Sequence, residues 1–323
     1  MSAKPKVLIT EPVFEEVIAL LKEHTELTVG KRGTFNSSEE LAKVIVEYDG
    51  LVSMLSNPVD ERVLNQSKKL KVIANYAVGY NNIEVEIATL KGIKVANTPN
   101  VLTETTAEGA FALLLAVARR LNEAEQCLRS GAFDGWNPNG FIGFDLFEKK
   151  IGILGMGRIG RAFARRAASF GMEVFYTNRT QLPFEIESEL KATYLANPLD
   201  LAKTCDIISI HCPLTEQTHH LVDEYFINSM KKGSVIINTA RGPVVDEKAL
   251  AHALLNGHLW GAGLDVYEFE PEVHPDLLSA PNTVLLPHVT SATYKTRLSM
   301  GMLAAGAVLH ELVGLDMDCH FVN

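Results

Sequence analysis

Short runs of β-branched and aliphatic residues alternate with helix-like segments along the first third of the chain. Because each run is short and apolar, strands are predicted at 6–10, 50–55, 71–76 and 93–96. Apolar residues recur at helical spacing between them, which predicts helices at 15–24, 38–48, 60–67 and 85–91. Strand and helix in regular alternation predict a parallel sheet that is covered by helices on both faces.

A long helix and a second alternating region follow. The sequence Asn97-Thr98-Pro99 interrupts the first pattern, and residues 103–118 then carry apolar positions at helical spacing, with Thr103 as a helix N-cap. Six further strands are predicted near 151–154, 173–176, 207–211, 235–238, 263–266 and 284–286. Six strands alternating with helices match a dinucleotide-binding sheet.

The length of 323 residues exceeds what one hydrophobic core usually organises, so two domains are predicted. The last apolar helix, near 294–312, is too short to fold alone, and we expect it to pack on the first domain. The predicted fold class is α/β, with two doubly wound parallel-sheet domains and a cleft between them. The first is a flavodoxin-like substrate-binding domain of residues 1–98 plus 290–323, and the second is a Rossmann cofactor domain of residues 99–289.

Composition excludes several function classes. A formal net charge of -9 without long basic runs argues against nucleic acid as a partner. The cysteines at 127, 205, 212 and 319 form no Cys-x-x-Cys pair, so we expect neither a disulfide framework nor a metal site. The most apolar stretch, 109–117, is too short to span a membrane, and no signal peptide precedes the first strand. The sequence therefore predicts a cytoplasmic protein with no membrane partner.

A glycine motif lies directly after the strand at 151–154 and at the start of a helix. In it, Gly155 makes the tight turn, Gly157 lets the backbone approach a pyrophosphate, and Gly160 permits close packing of helix on strand. Arg158 and Ile159 lie at the helix N-terminus, where free N–H groups attract phosphate. A glycine-rich turn without a ligand is the alternative, but the strand-turn-helix context favours dinucleotide binding.

The end of the next strand indicates which dinucleotide is bound. NAD enzymes place an acidic residue there for the ribose hydroxyls, whereas this chain has Asn178, Arg179 and Thr180. Donors and a positive charge suit a 2′-phosphate, so NADP(H) is preferred and NAD(H) is possible, unless Arg179 is only a solvated surface charge. Cys212 and Pro213, after another strand, are expected to border the adenosine, although Cys212 also fits an inert buried thiol.

Three residues follow predicted strands at the edge of the sheet where ligands bind. Arg241 offers a fork of donors for a carboxylate, and His288 can exchange a proton near neutral pH. Glu270 can orient that imidazole and favour its protonated form. Taken singly, each also fits a structural role, namely a turn charge, a helix-start residue and an ordinary histidine.

Together these residues lie in segments that resemble a known family. Thr239-Ala-Arg-Gly-Pro-Val-Val-Asp246, Gly263-Leu-Asp-Val-Tyr-Glu-Phe-Glu-Pro271 and Leu286-Pro-His-Val-Thr-Ser-Ala292 resemble, in order and spacing, the signatures of the D-isomer-specific 2-hydroxyacid dehydrogenases. The resemblance includes the glycine motif and covers essentially the whole chain. Within the family the chain is similar to glyoxylate and hydroxypyruvate reductases in Met54-Leu-Ser56, Ala74-Asn-Tyr-Ala-Val-Gly-Tyr80 and Asn97-Thr-Pro99.

The resemblance implies roles for particular residues. His288 is the acid/base, Glu270 is its partner, and Arg241 anchors the substrate. The cofactor-binding residues implied by the resemblance are Thr239, Ala240 and Asp265, the last beside the nicotinamide carboxamide.

Further roles concern the first domain and a second subunit. The backbone of Val78 and Gly79 looks like a clamp on the substrate carboxylate, and Leu55 and Ser56 would line the pocket. Trp136 matches an aromatic residue that reaches a neighbouring subunit's site across a homodimer, and a tryptophan in the core of an interface is the alternative. The chain departs from the family pattern at Asn81 and Glu84 and in an atypical C-terminal segment, 317–323.

The loop at 53–60 contains no Arg or Lys for a substrate phosphate. We therefore expect a small unphosphorylated 2-keto acid as substrate, with reversible NADPH-preferring reduction of glyoxylate or hydroxypyruvate to glycolate or D-glycerate. The alternatives are a dinucleotide-sensing protein similar to transcriptional corepressors, a dehydrogenase for another small 2-keto acid, and a formate or phosphite oxidiser.

Overall fold

The computed structural model describes residues 3–323, which divide into two α/β units. The first unit contains the chain up to Leu102 together with Ala292–Asn323, and the second contains Thr103–Ser291. The sequence placed these limits at residues 98 and 290. Within the described residues, no helix combines the length and apolar character needed to cross a bilayer.

Five strands form the sheet of the first unit: β1 (Lys6–Ile9), β2 (Glu26–Val29), β3 (Gly50–Ser53), β4 (Val72–Asn75) and β5 (Lys94–Ala96). All pair in parallel, in the order β2-β1-β3-β4-β5. This is the flavodoxin-like order, with its change of direction between β1 and β3. The helices are α1 (Glu15–His24), α2 (Ser38–Ile45), α3 (Glu61–Gln66), α4 (Val85–Leu90) and, after the second unit, α13 (Tyr294–Val313).

Strand β2 is absent from the sequence prediction, which recognised four strands in this region. It lies at the edge of the sheet, and its side chains alternate between exposed and partly buried. An edge strand of four residues has no continuous apolar run, and such a run was the signal that identified its neighbours.

The C-terminal segment extends the same unit. Helix α13 packs on α1, β3 and β4, as expected for the last apolar helix. The chain then runs antiparallel to β5, where Phe321 pairs with Ala96 and the Val322 N–H donates to the Val95 carbonyl at 2.8 Å. The segment that looked atypical in sequence therefore covers the edge of the sheet at β5.

Seven strands form the sheet of the second unit: β6 (Lys150–Leu154), β7 (Glu173–Thr177), β8 (Ala192–Tyr194), β9 (Ile207–Ile210), β10 (Ser234–Asn238), β11 (Leu259–Leu264) and β12 (Thr283–Leu285). They are parallel in the order β12-β11-β10-β9-β6-β7-β8, a Rossmann order with a seventh strand. The predicted fold class is confirmed, although six strands were predicted here and the short edge strand β8 was missed.

Helices cover both faces of the second sheet. One apolar core lies under α5 and α7, and the other lies under α9, α10 and α11. The helices are α5 (Thr103–Ala118), α6 (Leu121–Arg129), α7 (Arg158–Ser169), α8 (Phe184–Leu190), α9 (Pro198–Thr204), α10 (Glu224–Ser229), α11 (Glu247–Leu255) and α12 (Pro275–Ser279), with a 3-10 helix at Gly242–Val244.

Candidate active site

The glycine motif forms the turn from β6 into α7. Gly155 has a φ of 97°, and a Cβ added there would lie 2.5 Å from the backbone nitrogen of Cys212. A Cβ on Gly160 would lie 2.2 Å from the Gly155 carbonyl oxygen, so helix and strand need glycine to approach this closely. A Cβ on Gly157 would meet nothing within 4 Å, which leaves space beside the helix start.

This turn lies where the order of the second sheet changes direction. Strands β6 and β9 are neighbours there, and parallel sheets bind ligands at this position. Arg158 begins α7, so the first-turn N–H groups of Arg158 and Ile159 are available for phosphate oxygens. Beyond β10, the hydroxyl of Thr239 is buried and has no hydrogen-bond partner among the described residues. The steric space, helix N-terminus and unpartnered hydroxyl fit a nicotinamide dinucleotide.

Polar residues follow β7. The side-chain amide of Asn178 donates to the Thr180 carbonyl at 3.2 Å, and the Asn178 carbonyl accepts from the Tyr194 hydroxyl at 3.2 Å. Arg179 and Thr180 are exposed. No acidic residue occupies the position that follows β7, where an NAD enzyme binds the ribose hydroxyls.

Cys212 and Pro213 follow β9 and face the glycine turn from the neighbouring strand. Burial raises the pKa of the Cys212 thiol to about 11, so it is protonated at neutral pH. The Pro213 carbonyl accepts from the Thr218 hydroxyl at 2.7 Å. Cys212 therefore contributes backbone and packing at the turn rather than a reactive thiolate.

Arg241, Glu270 and His288 follow three neighbouring strands, β10, β11 and β12. The Glu270 carboxylate accepts from the Tyr267 N–H at 3.1 Å and pairs with His288 Nδ1 at 3.1 Å. Arg241 is anchored by its backbone, since its carbonyl accepts from Asn238 Nδ2 at 2.9 Å. Asn238 also accepts the Ala240 N–H at 3.0 Å, which fixes the turn after β10.

The three side chains influence one another electrostatically. Desolvation acts to raise the pKa of Glu270, but the hydrogen bond and charge of His288, together with Arg241, hold it below its usual value. Desolvation lowers the pKa of Arg241, and the negative charge of Glu270 opposes this change. Glu270 is therefore ionised near neutral pH, and its carboxylate holds His288 Nδ1 through the hydrogen bond.

Asp265 fixes the backbone beside His288. Its buried carboxylate accepts from the Val289 N–H at 2.7 Å, from the Thr290 N–H at 2.9 Å and from the Thr290 hydroxyl at 2.6 Å. His288 itself has a φ of 57°, a conformation that few residue types adopt easily. Sequence reasoning placed Asp265 beside the cofactor and missed these bonds. The cofactor contact stays a prediction.

Helix α5 packs against the same turn. A Cβ on Gly109 would lie 2.6 Å from the Thr290 Cβ, so the glycine lets the helix approach the residue that Asp265 holds. The turn that carries His288 is thus fixed both by a buried carboxylate and by a tightly packed helix.

The remaining candidates lie in the first unit and on the surface of the second. Leu55 and Ser56 lie in the turn after β3, at the switch point of the first sheet, and Val78 and Gly79 follow β4. Trp136 is 87% exposed. Between residues 3 and 323, no three His, Cys, Asp or Glu side chains are grouped to hold a metal ion.

The chain is similar to proteins of known class. Residues 111–290 match the family model described as D-isomer specific 2-hydroxyacid dehydrogenase, NAD binding domain. A glyoxylate reductase of Thermococcus onnurineus is 47% identical over 307 residues, which are 94% of this chain and 91% of that protein.

Two solved structures superpose over nearly the whole chain. A glyoxylate reductase from Paecilomyes thermophila is 33% identical with a TM-score of 0.87, covering 100% of this chain and 99% of that chain. An NADPH-dependent glyoxylate/hydroxypyruvate reductase from Sinorhizobium meliloti, in complex with NADP and malonate, is 34% identical with a TM-score of 0.86. That match covers 95% of this chain and 93% of the other.

Proposed function

The chain belongs to the D-isomer specific 2-hydroxyacid dehydrogenase family, and on this basis we propose that it reduces glyoxylate to glycolate and hydroxypyruvate to D-glycerate. As a member it is an NAD(P)-dependent oxidoreductase, and the family resemblance expected from the sequence is confirmed. The observation that carries the proposal is the pairing of Glu270 with His288 after β11 and β12, since β11 is also the neighbour of β10, the strand that precedes Arg241.

The preferred cofactor in this proposal is NADPH, with NADH as the second choice. The S. meliloti reductase binds NADP, and the residues after β7 offer donors and a cation but no carboxylate to repel a 2′-phosphate. We propose that the pyrophosphate lies at Gly157, Arg158 and Ile159, and the 2′-phosphate at Asn178, Arg179 and Thr180. Cys212, Pro213, Thr239, Ala240 and Asp265 complete the proposed cofactor site.

The mechanism assigns one task to each reacting side chain. When bound, NADPH supplies a hydride to the carbonyl carbon. His288 gives a proton from Nε2 to the carbonyl oxygen and becomes neutral, while Glu270 holds Nδ1 and stabilises the imidazolium beforehand. Arg241 binds the carboxylate and stabilises the negative charge that develops on the oxygen.

The proposed substrate is small and carries no phosphate. The named reductases act on glyoxylate or hydroxypyruvate, and the turn at 53–60 has no cation for a phosphate group. In this proposal the N–H groups of Val78 and Gly79 bind the substrate carboxylate, and Leu55 and Ser56 limit the size of the acid. The matches to reductases favour this enzyme over a corepressor-like binding protein.

A homodimer is part of the proposal. Several large apolar side chains between residues 131 and 147 are exposed, and monomeric proteins seldom expose so many in one segment. They are Phe133, Trp136, Phe141, Ile142 and Phe147. We propose that this segment contacts a second copy of the chain.

The decisive experiment is replacement of His288 by Asn. Asparagine tolerates the positive φ at this position but carries no titratable proton. The variant therefore removes the proton donor without adding backbone strain. We expect kcat for glyoxylate to fall about 10²- to 10⁴-fold, the usual contribution of a general acid. Binding of NADPH, measured by fluorescence titration, should be unchanged.

His252→Asn is the matched control, because His252 is exposed on α11. Full turnover in His288→Asn would remove His288 from the acid role. A wild-type protein that oxidises NADPH with neither glyoxylate nor hydroxypyruvate would overturn the substrate assignment itself.

A further inference from the structure

We propose that Asn97, Thr98 and His320, which lies in the C-terminal segment, position the two N–H groups that bind the substrate carboxylate. This inference rests on the proposed function, which assigns that role to Val78 and Gly79. It gives a task to the Asn97-Thr98-Pro99 motif and to the C-terminal segment, neither of which has a part in the mechanism above.

The backbone after β4 is held through its carbonyl groups. The Ala77 carbonyl accepts from the Thr98 N–H at 2.9 Å, and the Val78 carbonyl accepts from Asn97 Nδ2 at 2.7 Å. In a trans peptide the C=O and the following N–H point in opposite directions. The N–H groups of Val78 and Gly79 therefore both point away from Asn97 and Thr98.

These two N–H groups are available for a ligand. Among residues 3–323, neither donates a hydrogen bond to a protein acceptor. A third contact limits rotation of the next peptide, because the Gly79 carbonyl accepts from Asn75 Nδ2 at 2.7 Å. Two successive donors with fixed directions match the two oxygens of a carboxylate.

The orientation of the Asn97 amide depends on the C-terminal segment. Asn97 is 6% exposed, and its Oδ1 accepts from His320 Nδ1 at 2.7 Å. Because His320 donates to one end of the amide, the NH₂ end is directed to the Val78 carbonyl. The backbone repeats the link, since the Asn97 N–H donates to the His320 carbonyl at 3.0 Å.

The segment that carries His320 is anchored independently of Asn97. Asn323 accepts from the Val95 N–H at 2.7 Å, and it donates to the Ile93 carbonyl at 3.0 Å and to the Thr89 hydroxyl at 2.7 Å. Together with the pairing of Val322 with Val95, these bonds hold the segment against β5. The segment therefore acts as a fixed support for the amide of Asn97.

Asn97→Asp is the sharpest variant, because it keeps the shape of the side chain and its acceptor for His320 but removes the donor to the Val78 carbonyl. We expect KM for glyoxylate to rise about 10-fold, the effect of weakening one hydrogen bond to a charged group, while kcat changes little. The inhibition constant of oxalate, a carboxylate that is not reduced, should rise by the same factor. KM for NADPH should not move.

His320→Ala tests the same link from the exposed side of the segment, where loss of folding is not expected. KM for glyoxylate should rise about 3-fold because the Asn97 amide is no longer oriented, and His320→Gln, which keeps a donor, should restore part of the affinity. The controls are Asn65→Asp and His24→Ala, an asparagine on α3 and a histidine on α1 of the same unit, whose side chains pair with Glu61 and Glu23 respectively.

A spectroscopic measurement separates this inference from the proposed function. In protein labelled with 15N-glycine, the Gly79 amide signal should shift in Asn97→Asp and His320→Ala but not in the controls. An unmoved Gly79 signal together with unchanged oxalate affinity would overturn the inference. Turnover of neither glyoxylate nor hydroxypyruvate by the wild-type protein, with the Gly79 signal shifted, would overturn the substrate assignment and leave the positioning supported.

Discussion

Asn178 is the residue on which the cofactor proposal can be tested most directly. Its amide donates to the Thr180 carbonyl and lies where a carboxylate would face the adenine ribose. Asn178→Asp should therefore shift the ratio of kcat/KM for NADPH over NADH toward NADH by about 10-fold, which corresponds to about 1.4 kcal/mol of repulsion between a carboxylate and the 2′-phosphate.

The measurement is a pair of saturation curves, in which NADPH or NADH is varied while glyoxylate is in excess. Asn256→Asp adds the same charge at an exposed turn of the same unit and should leave the ratio unchanged. An unaltered ratio in Asn178→Asp would show that the 2′-phosphate does not bind at this loop.

The sequence indicated the proposed reacting residues better than their supports. Arg241, Glu270 and His288 were singled out because they follow apolar strands, and the structure brings Glu270 and His288 within hydrogen-bond distance. The bonds of Asp265 to residues 289 and 290 carry no local sequence signal, because they join positions that are distant along the chain. The same holds for the bond between Asn97 and His320.

At the scale of elements, Asp206 joins β6 to β9 at the start of both strands. Its carboxylate accepts from the Lys150 N–H at 2.8 Å and from the Lys231 ammonium at 2.9 Å. Desolvation acts to raise the pKa of Asp206, but these two hydrogen bonds hold it below the ordinary 3.8. The ionised carboxylate therefore stabilises the pairing of the strands at which the glycine turn is formed.

Asp206→Asn should lower the free energy of unfolding at pH 7 by about 1 to 3 kcal/mol, the effect of weakening hydrogen bonds to a charged group. A carboxyl with a lowered pKa in the folded state contributes stability above pH 3.8, and this contribution is lost as the pH falls through the lower value. The difference in the free energy of unfolding between Asp206→Asn and the wild type, measured by urea unfolding, should be smaller at pH 3 than at pH 7.

Glu189→Gln removes an exposed carboxylate from α8 and serves as the control. A difference for Asp206→Asn that is equal at both pH values would mean that the charge of Asp206 contributes nothing to the pairing.

The strands that the sequence missed are both edge strands. β2 and β8 each lie at one end of their sheet, and each has exposed positions between partly or fully buried ones. Neither Glu26–Val29 nor Ala192–Tyr194 contains a continuous apolar run, and three or four residues are too few for alternation to be recognised. The order of the strands follows from long-range pairing, which only the structure supplies.

At the scale of the whole molecule, the proposed homodimer can be tested through its exposed aromatic residues. Sedimentation equilibrium should give twice the mass of one chain, and Trp136→Glu should weaken association about 10-fold or more, as for a tryptophan at the centre of an interface. Trp136 and Phe184 are 87% and 76% exposed, and Phe184→Glu, on α8, is the control. A monomer at micromolar concentration would refute the proposal.

The asparagines of the first unit have a consequence for how the enzyme responds to acid and base. The loops after β3 and β4 are held by side chains of Asn57, Asn75, Asn82 and Asn97, and an amide neither gains nor loses a proton between pH 4 and pH 10. Binding of the substrate carboxylate by the proposed N–H groups of Val78 and Gly79 should therefore be insensitive to pH. Proton transfer, in contrast, depends on Glu270 and His288. Across this pH range, kcat should therefore vary, whereas the contribution of these loops to substrate affinity should stay constant.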